Sequence, residues 1–171
     1  MALTKVRGDG VQGMSLLSTS TALTLDANGH VTKPLQSAFC VNPASQQANI
    51  ASTGNVQIVF GTERFDNNGD FASNTFTAPV TGKYQLQTSI RIDNVDTAGG
   101  YYQVKLSTSN LDYTQTISPL FSEDASHWML NQTILADMDA SDTARVFVKQ
   151  LQGTDQTDID TESYFSGYLV A

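Results

Sequence analysis

Apolar and polar residues alternate most regularly between Lys83 and Asp93. Tyr84, Leu86, Thr88, Ile90 and Ile92 fall on one side, and Lys83, Gln85, Gln87, Ser89, Arg91 and Asp93 on the other. A period of two held this long specifies a pleated strand with one dry face and one wet face. Ahead of it, Thr77-Ala78-Pro79-Val80-Thr81-Gly82 reads as a turn. Pro79 has no N–H to give to a ladder, and Gly82 accepts backbone angles that a Cβ disfavours. Phe71 and Phe76 flank a short polar run and are placed to bury their rings as the chain enters the sheet.

Further β-prone runs follow the same logic at 37–41, 56–60, 101–108, 112–117, 127–136, 144–151 and 163–170, with loops at 94–100, 122–126 and 153–162. Eight to ten strands with turns between them, and no helical period, predict an all-β two-sheet sandwich of the jelly-roll type. Two of these strands are apolar on both faces. In the last, Phe165, Gly167 and Leu169 oppose Tyr164, Tyr168 and Val170; in 127–136, Trp128, Leu130 and Ile134 oppose Met129 and Leu135. A two-layer sandwich covers only one face of each sheet, so a third layer is expected over the other. Trp128, Tyr164, Tyr168 and Val170 are the candidate contacts to it.

Two motifs carry a resemblance. The first is Asn67-Asn68-Gly69-Asp70-Phe71 followed by Phe76-Thr77-Ala78-Pro79-Val80-Thr81-Gly82-Lys83-Tyr84; the second is the closing Tyr164-Phe165-Ser166-Gly167-Tyr168-Leu169-Val170. In order and spacing they resemble the globular head domain of the complement one-q subcomponent, a relative of the tumour-necrosis-factor jelly roll. The resemblance covers roughly residues 36–171. It implies a ten-strand-type, TNF-like jelly roll, and it implies that the third layer is two more copies around a threefold axis. Some heads of this family hold calcium near the trimer apex. Asp155, Asp158 and Asp160 are the candidate ligands, against the alternative of a solvated turn that keeps the surface soluble.

Residues 1–35 form a different segment, an extended arm. Its apolar residues, Val6, Met14, Leu16, Leu17, Leu23 and Leu25, are scattered among Ser, Thr and Gly. Thr24-Leu25 and Val31-Thr32 flank the turn signal Asp26-Ala27-Asn28-Gly29-His30, which predicts a short β-hairpin. Such an arm cannot bury enough surface to fold alone and is expected to dock on a partner or on its own symmetry mates. Ala2-Leu3-Thr4-Lys5-Val6 and the run from Leu23 to Phe39 resemble the leaders that precede such heads in tailed-phage structural proteins.

Composition narrows the function classes. The chain of 171 residues carries nine Lys and Arg against 17 Asp and Glu, a net charge of −8. With no basic cluster along the sequence, direct nucleic-acid binding is not expected. No run of 18 apolar residues suggests a membrane span, and no signal peptide is expected at Met1. The single Cys40 excludes an intrachain disulfide; it reads as a buried small hydrophobe, with a reactive thiol or an interchain bridge as alternatives. His30 and His127 belong to no metal-spaced set, and neither a nucleophile elbow nor a phosphate-binding glycine loop occurs, so no enzymatic activity and no cofactor are expected. Arg7-Gly8-Asp9, in a glycine-rich arm, is short enough to arise by chance, and the sequon at Asn131 is discounted because no secretion signal is expected with it.

Together these readings point to a homotrimeric phage virion protein on the particle exterior. One placement is a capsid decoration (cement) protein whose arms grip the major capsid protein or another virion protein while the heads project outward. The others are a tail-fibre or tail-spike tip that recognises a host receptor, and a lectin-like binding module. No repetitive shaft of heptads or collagen triplets is present, which favours the first.

Overall fold

The computed structural model describes residues 23–171. Val6, Met14, Leu16, Leu17 and the Arg7-Gly8-Asp9 tripeptide lie outside the described residues. The chain divides into two compact units, Met1–Leu35 and Gln36–Ala171.

In the first unit, β1 (Thr24–Leu25) and β2 (Val31–Thr32) form an antiparallel hairpin. Asp26 builds its turn: one carboxylate oxygen accepts the N–H groups of Asn28 at 2.8 Å and His30 at 2.9 Å, and the other meets His30 Nδ1 at 2.8 Å. Leu23, Val31 and Leu35 are exposed. A two-stranded hairpin this short is not stable in water by itself.

The second unit is a sandwich of antiparallel strands: β3 (Ala38–Asn42), β4 (Val56–Gln57), β5 (Thr62–Asp66), β6 (Phe71–Ala72), β7 (Thr75–Thr77), β8 (Gly82–Val95), β9 (Tyr101–Thr108), β10 (Asp112–Ile117), β11 (Ala125–Met138), β12 (Thr143–Leu151), β13 (Asp158–Ile159) and β14 (Tyr164–Leu169). Sheet I runs β11-β8-β14-β3-β5, with β13 also on β8; sheet II runs β10-β9-β12-β7-β6, with β4 on β12. No helix occurs among the described residues. Sequence periodicity misses β5, β6, β7 and β13. Most of β5 is exposed on both faces of an edge strand, so it carries no alternation, and the other three are two or three residues long. The expected strand at 56–60 pairs as a ladder only at Val56–Gln57, although Ile58 and Phe60 are buried beyond it.

The core lies between the sheets. Tyr84, Leu86, Thr88, Ile90 and Ile92 on β8 are fully buried, as their period requires. Ser89, on the side expected to be wet, is buried as well, between Tyr164 and Asn131 of the neighbouring strands. Phe39 stacks on Phe76 at 4.6 Å and on Phe71 at 5.4 Å, and meets Phe165 edge-on at 4.9 Å. The motif turn before β6 is closed by Asp66, whose carboxylate accepts the N–H groups of Asp70 and Phe71 at 3.0 and 2.9 Å. Gly167 lets β14 approach the core: a Cβ there would lie 2.6 Å from Leu86 Cδ2 and 2.9 Å from Phe39 Cε1.

One buried carboxylate ties the loops together at the end of the sandwich. Asp96 accepts the Thr154 N–H at 2.6 Å, the Thr154 hydroxyl at 2.9 Å and the Ala98 N–H at 2.7 Å. Its own N–H donates to the Tyr102 hydroxyl at 2.8 Å, which in turn meets Thr157 Oγ1 at 2.9 Å. Gly153, at φ +81°, is needed here: a Cβ would sit 2.5 Å from Asp96 Oδ2. The Thr154 backbone N–H, helped by the Ala98 N–H and the Thr154 hydroxyl, holds the Asp96 carboxyl below its ordinary value, against burial and the nearby Asp124. A depressed folded-state pKa contributes stability that is complete above the unfolded value near 4 and is lost as pH falls through the lower folded value. Asp96→Ala leaves buried N–H groups without acceptors and is expected to cost about 1–3 kcal/mol at neutral pH. Urea unfolding below pH 4 should show the gap to the native chain narrowing; a gap independent of pH would contradict this assignment.

Candidate functional site: the outer face of sheet I

Strand register assembles the outer face of sheet I row by row. Ala38, Tyr168, Gln85 and Leu135 stand side by side across β3, β14, β8 and β11. The next row is Phe65, Cys40, Ser166, Gln87 and Thr133, and the next contains Tyr164, Ser89 and Asn131. Met129 lies beside Arg91 further along. The phenols are oriented by glutamines: Tyr168 Oη donates to Gln85 Oε1 at 3.0 Å, and Gln87 Nε2 donates to Tyr164 Oη at 2.7 Å. Val170 N–H donates to the Lys83 carbonyl at 2.7 Å and keeps its side chain near this face.

Phe65, Met129, Leu135, Tyr168 and Val170 are each 43–60% exposed. Charges collect at the two ends. Lys83 pairs with Asp137 at 2.6 Å at one, and Arg91 lies between Asp93 and Glu162, 2.8 Å from each, at the other. The bonds to Asp93 and Glu162 push the Arg91 guanidinium further into its charged form. Exposed apolar and aromatic side chains set among amides and hydroxyls, with charges at the ends, are the layout of a packing surface, in which the apolar part supplies energy and the charges supply register.

The structure brings Tyr164, Tyr168 and Val170 together on this face, and adds Met129, Leu135 and Phe65. Trp128 is not among them. Successive strand residues face opposite ways, and Trp128 shares the side of Leu130 and Ile134. It lies at the open edge strand β11, its ring tilted against that of Phe121 at 5.3 Å, beside the 91%-exposed Leu120. Met129 and Leu135 were available from the same alternation that points to the tyrosines. Of the arm residues, Leu23 is exposed on the hairpin and Leu25 pairs with Val31 through its backbone.

Cys40 is half-buried on the outer face rather than enclosed in the core. Burial pushes its thiol up, against the pull of Arg64, which disfavours the thiolate a nucleophile needs. The three calcium candidates do not form a cation cage within one chain. Asp158 is buried and accepts from Asn49 N–H at 2.8 Å, Asn94 Nδ2 at 2.9 Å and Gln46 Nε2 at 3.2 Å. Asp155 accepts the Ser52 N–H at 2.6 Å and Asp160 the Glu162 N–H at 2.8 Å. Among the described residues no three His, Cys, Asp or Glu side chains converge on one point.

The sheet order, the buried Phe39–Phe71–Phe76–Phe165 group and the glycine slot in the last strand define the fold, and the family model of the C1q domain matches residues 38–170. The chain belongs to the C1q domain family. The C1q match begins at the first strand of the sandwich and leaves the arm outside it. Among solved structures, the globular domain of a zebrafish complement 1qA protein is similar, with a TM-score of 0.53 and 16% identity over 80% of this chain and 98% of that one. At that identity the likeness is one of fold. No curated protein sequence matches the chain.

Proposed function

We propose that this C1q domain is a homotrimeric virion protein on the exterior of a tailed-phage particle, with heads sealed to one another through sheet I and arms that attach the trimer to the capsid. The observation that carries the trimer is the group of exposed large side chains, Tyr168, Leu135, Met129, Val170 and Phe65, on one outer face of an otherwise folded sandwich. Covering one such side chain is worth about 1.5–3 kcal/mol. Domains of the family commonly form trimers, and a threefold ring closes without leaving an unsatisfied surface.

Attachment through the arm is supported by its hairpin, which exposes Leu23 and Val31 and needs a further layer to be stable. The particle exterior is supported by the net charge of −8, which suits a surface facing solvent better than one facing packaged DNA, and by the resemblance of the leader to those of phage structural proteins. Deleting residues 1–33 should leave a folded trimeric head that no longer incorporates into particles. Normal incorporation of the truncated chain would overturn the division between arm and head. Copy number separates the capsid from the tail: hundreds per particle fit a decoration protein, and a few tens fit a tail tip.

A further inference from the structure

Sheet II turns a second outer face to solvent, and its composition departs from that of the chain. Along β12, Arg145, Phe147, Lys149 and Leu151 alternate with the buried Ala144, Val146, Val148 and Gln150. On β9, Tyr101, Gln103, Lys105 and Ser107 share their side, with Lys105 opposite Phe147, Gln103 opposite Lys149 and Tyr101 opposite Leu151. Lys105 Nζ lies 5.1 Å from the centre of the Phe147 ring, and Lys149 Nζ lies 5.3 Å from that of Tyr101.

Half of the head's Lys and Arg residues are gathered here; the others, Arg64, Lys83 and Arg91, lie elsewhere. The strand residues of this face include one carboxylate, Asp112, 3.1 Å from Lys105 Nζ. Neither Arg145 nor Lys149 forms an ion pair among the described residues. An acidic chain thus carries a face with three cations and one anion, interleaved with two aromatic rings and a leucine.

We infer that this face binds an acidic polysaccharide, one bearing a carboxylate or sulfate on its sugar rings. Sugar rings are amphipathic. Their C–H faces suit the half-buried Phe147, Tyr101 and Leu151, while their anionic groups suit ammonium and guanidinium donors. Along β12 the cations are spaced roughly 13 Å from Arg145 to Lys149, with Lys105 roughly 7 Å along from Lys149 on the adjoining strand. That spacing fits an extended polymer of moderate charge density. Duplex DNA, with one charge per about 1.7 Å, offers far more charge than three cations can neutralise, and the net charge of the chain opposes it. The face lies on the opposite side of the sandwich from Tyr168, so the inference holds for a single head and does not depend on trimer formation.

The test uses the full chain and oligomers of a polyuronate such as alginate, with titration calorimetry at low and at physiological ionic strength. Binding should be detected at low salt and weaken as salt rises. Arg145→Gln combined with Lys149→Gln should raise Kd by at least about tenfold, while Lys33→Gln combined with Arg64→Gln, which removes the same charge elsewhere, should leave it unchanged. In the native chain, amide shifts on addition of the oligomer should concentrate on β9 and β12, a readout that needs no variant. No binding at low salt, equal losses in both double variants, or equally tight binding of an oligothymidylate would each overturn the assignment.

Discussion

Tyr84→Ala is expected to destabilise the head by about 3–5 kcal/mol in chemical denaturation, the range for removing a large aromatic ring from a core. Tyr84 is fully buried near the start of β8, with its ring 5.5 Å from that of Phe76. Its hydroxyl reaches back to donate to the Val80 carbonyl at 2.8 Å and so anchors the turn that leads into the strand. Tyr84→Phe separates the two contributions. It keeps the ring, loses one hydrogen bond and should cost only about 0.5–1.5 kcal/mol. The ring therefore dominates. Were alanine to cost no more than phenylalanine, the ring would not be packed as the fold places it.

Aspartate at both Leu135 and Tyr168 is expected to convert the proposed trimer into monomers without unfolding the head. Both side chains are exposed within one chain, so a single head loses little by the change. In the proposed trimer each is covered, and losing two such contacts at about 1.5–3 kcal/mol apiece should weaken every interface by at least about a hundredfold. Burying the new carboxylates without partners adds to the cost. Thr114→Asp combined with Thr116→Asp, on the outer face of sheet II, should leave the oligomer intact and controls for charge alone. Light scattering at matched concentrations reads the difference. A double variant that stayed trimeric would move the contact off this face.

Much of the fold is legible in the chain because burial enforces a period of two wherever one face is dry. The alternation at Tyr84–Ile92, the paired aromatics at Phe71 and Phe76, and the doubly apolar last strand all follow from that rule. What escaped has physical reasons. β5 is exposed along most of its length, so nothing selects which of its residues are apolar. Trp128 reads as a contact because it is large, yet its place on β11 turns it from the tyrosines toward the edge. The carboxylates between Asp155 and Asp160 look clustered in sequence, but backbone amides and neighbouring side-chain amides claim them separately. The cations on sheet II show the reverse. Lys105, Arg145 and Lys149 form no run in the sequence, and only the register of β9 against β12 makes them neighbours.

Everything proposed for sheet I depends on two further copies covering it. Sedimentation equilibrium of the full chain at micromolar concentration measures this directly. The expected mass is three times the 18.5 kDa of one chain. A species of 18.5 kDa at that concentration, with Tyr168 open to solvent, would contradict a threefold seal.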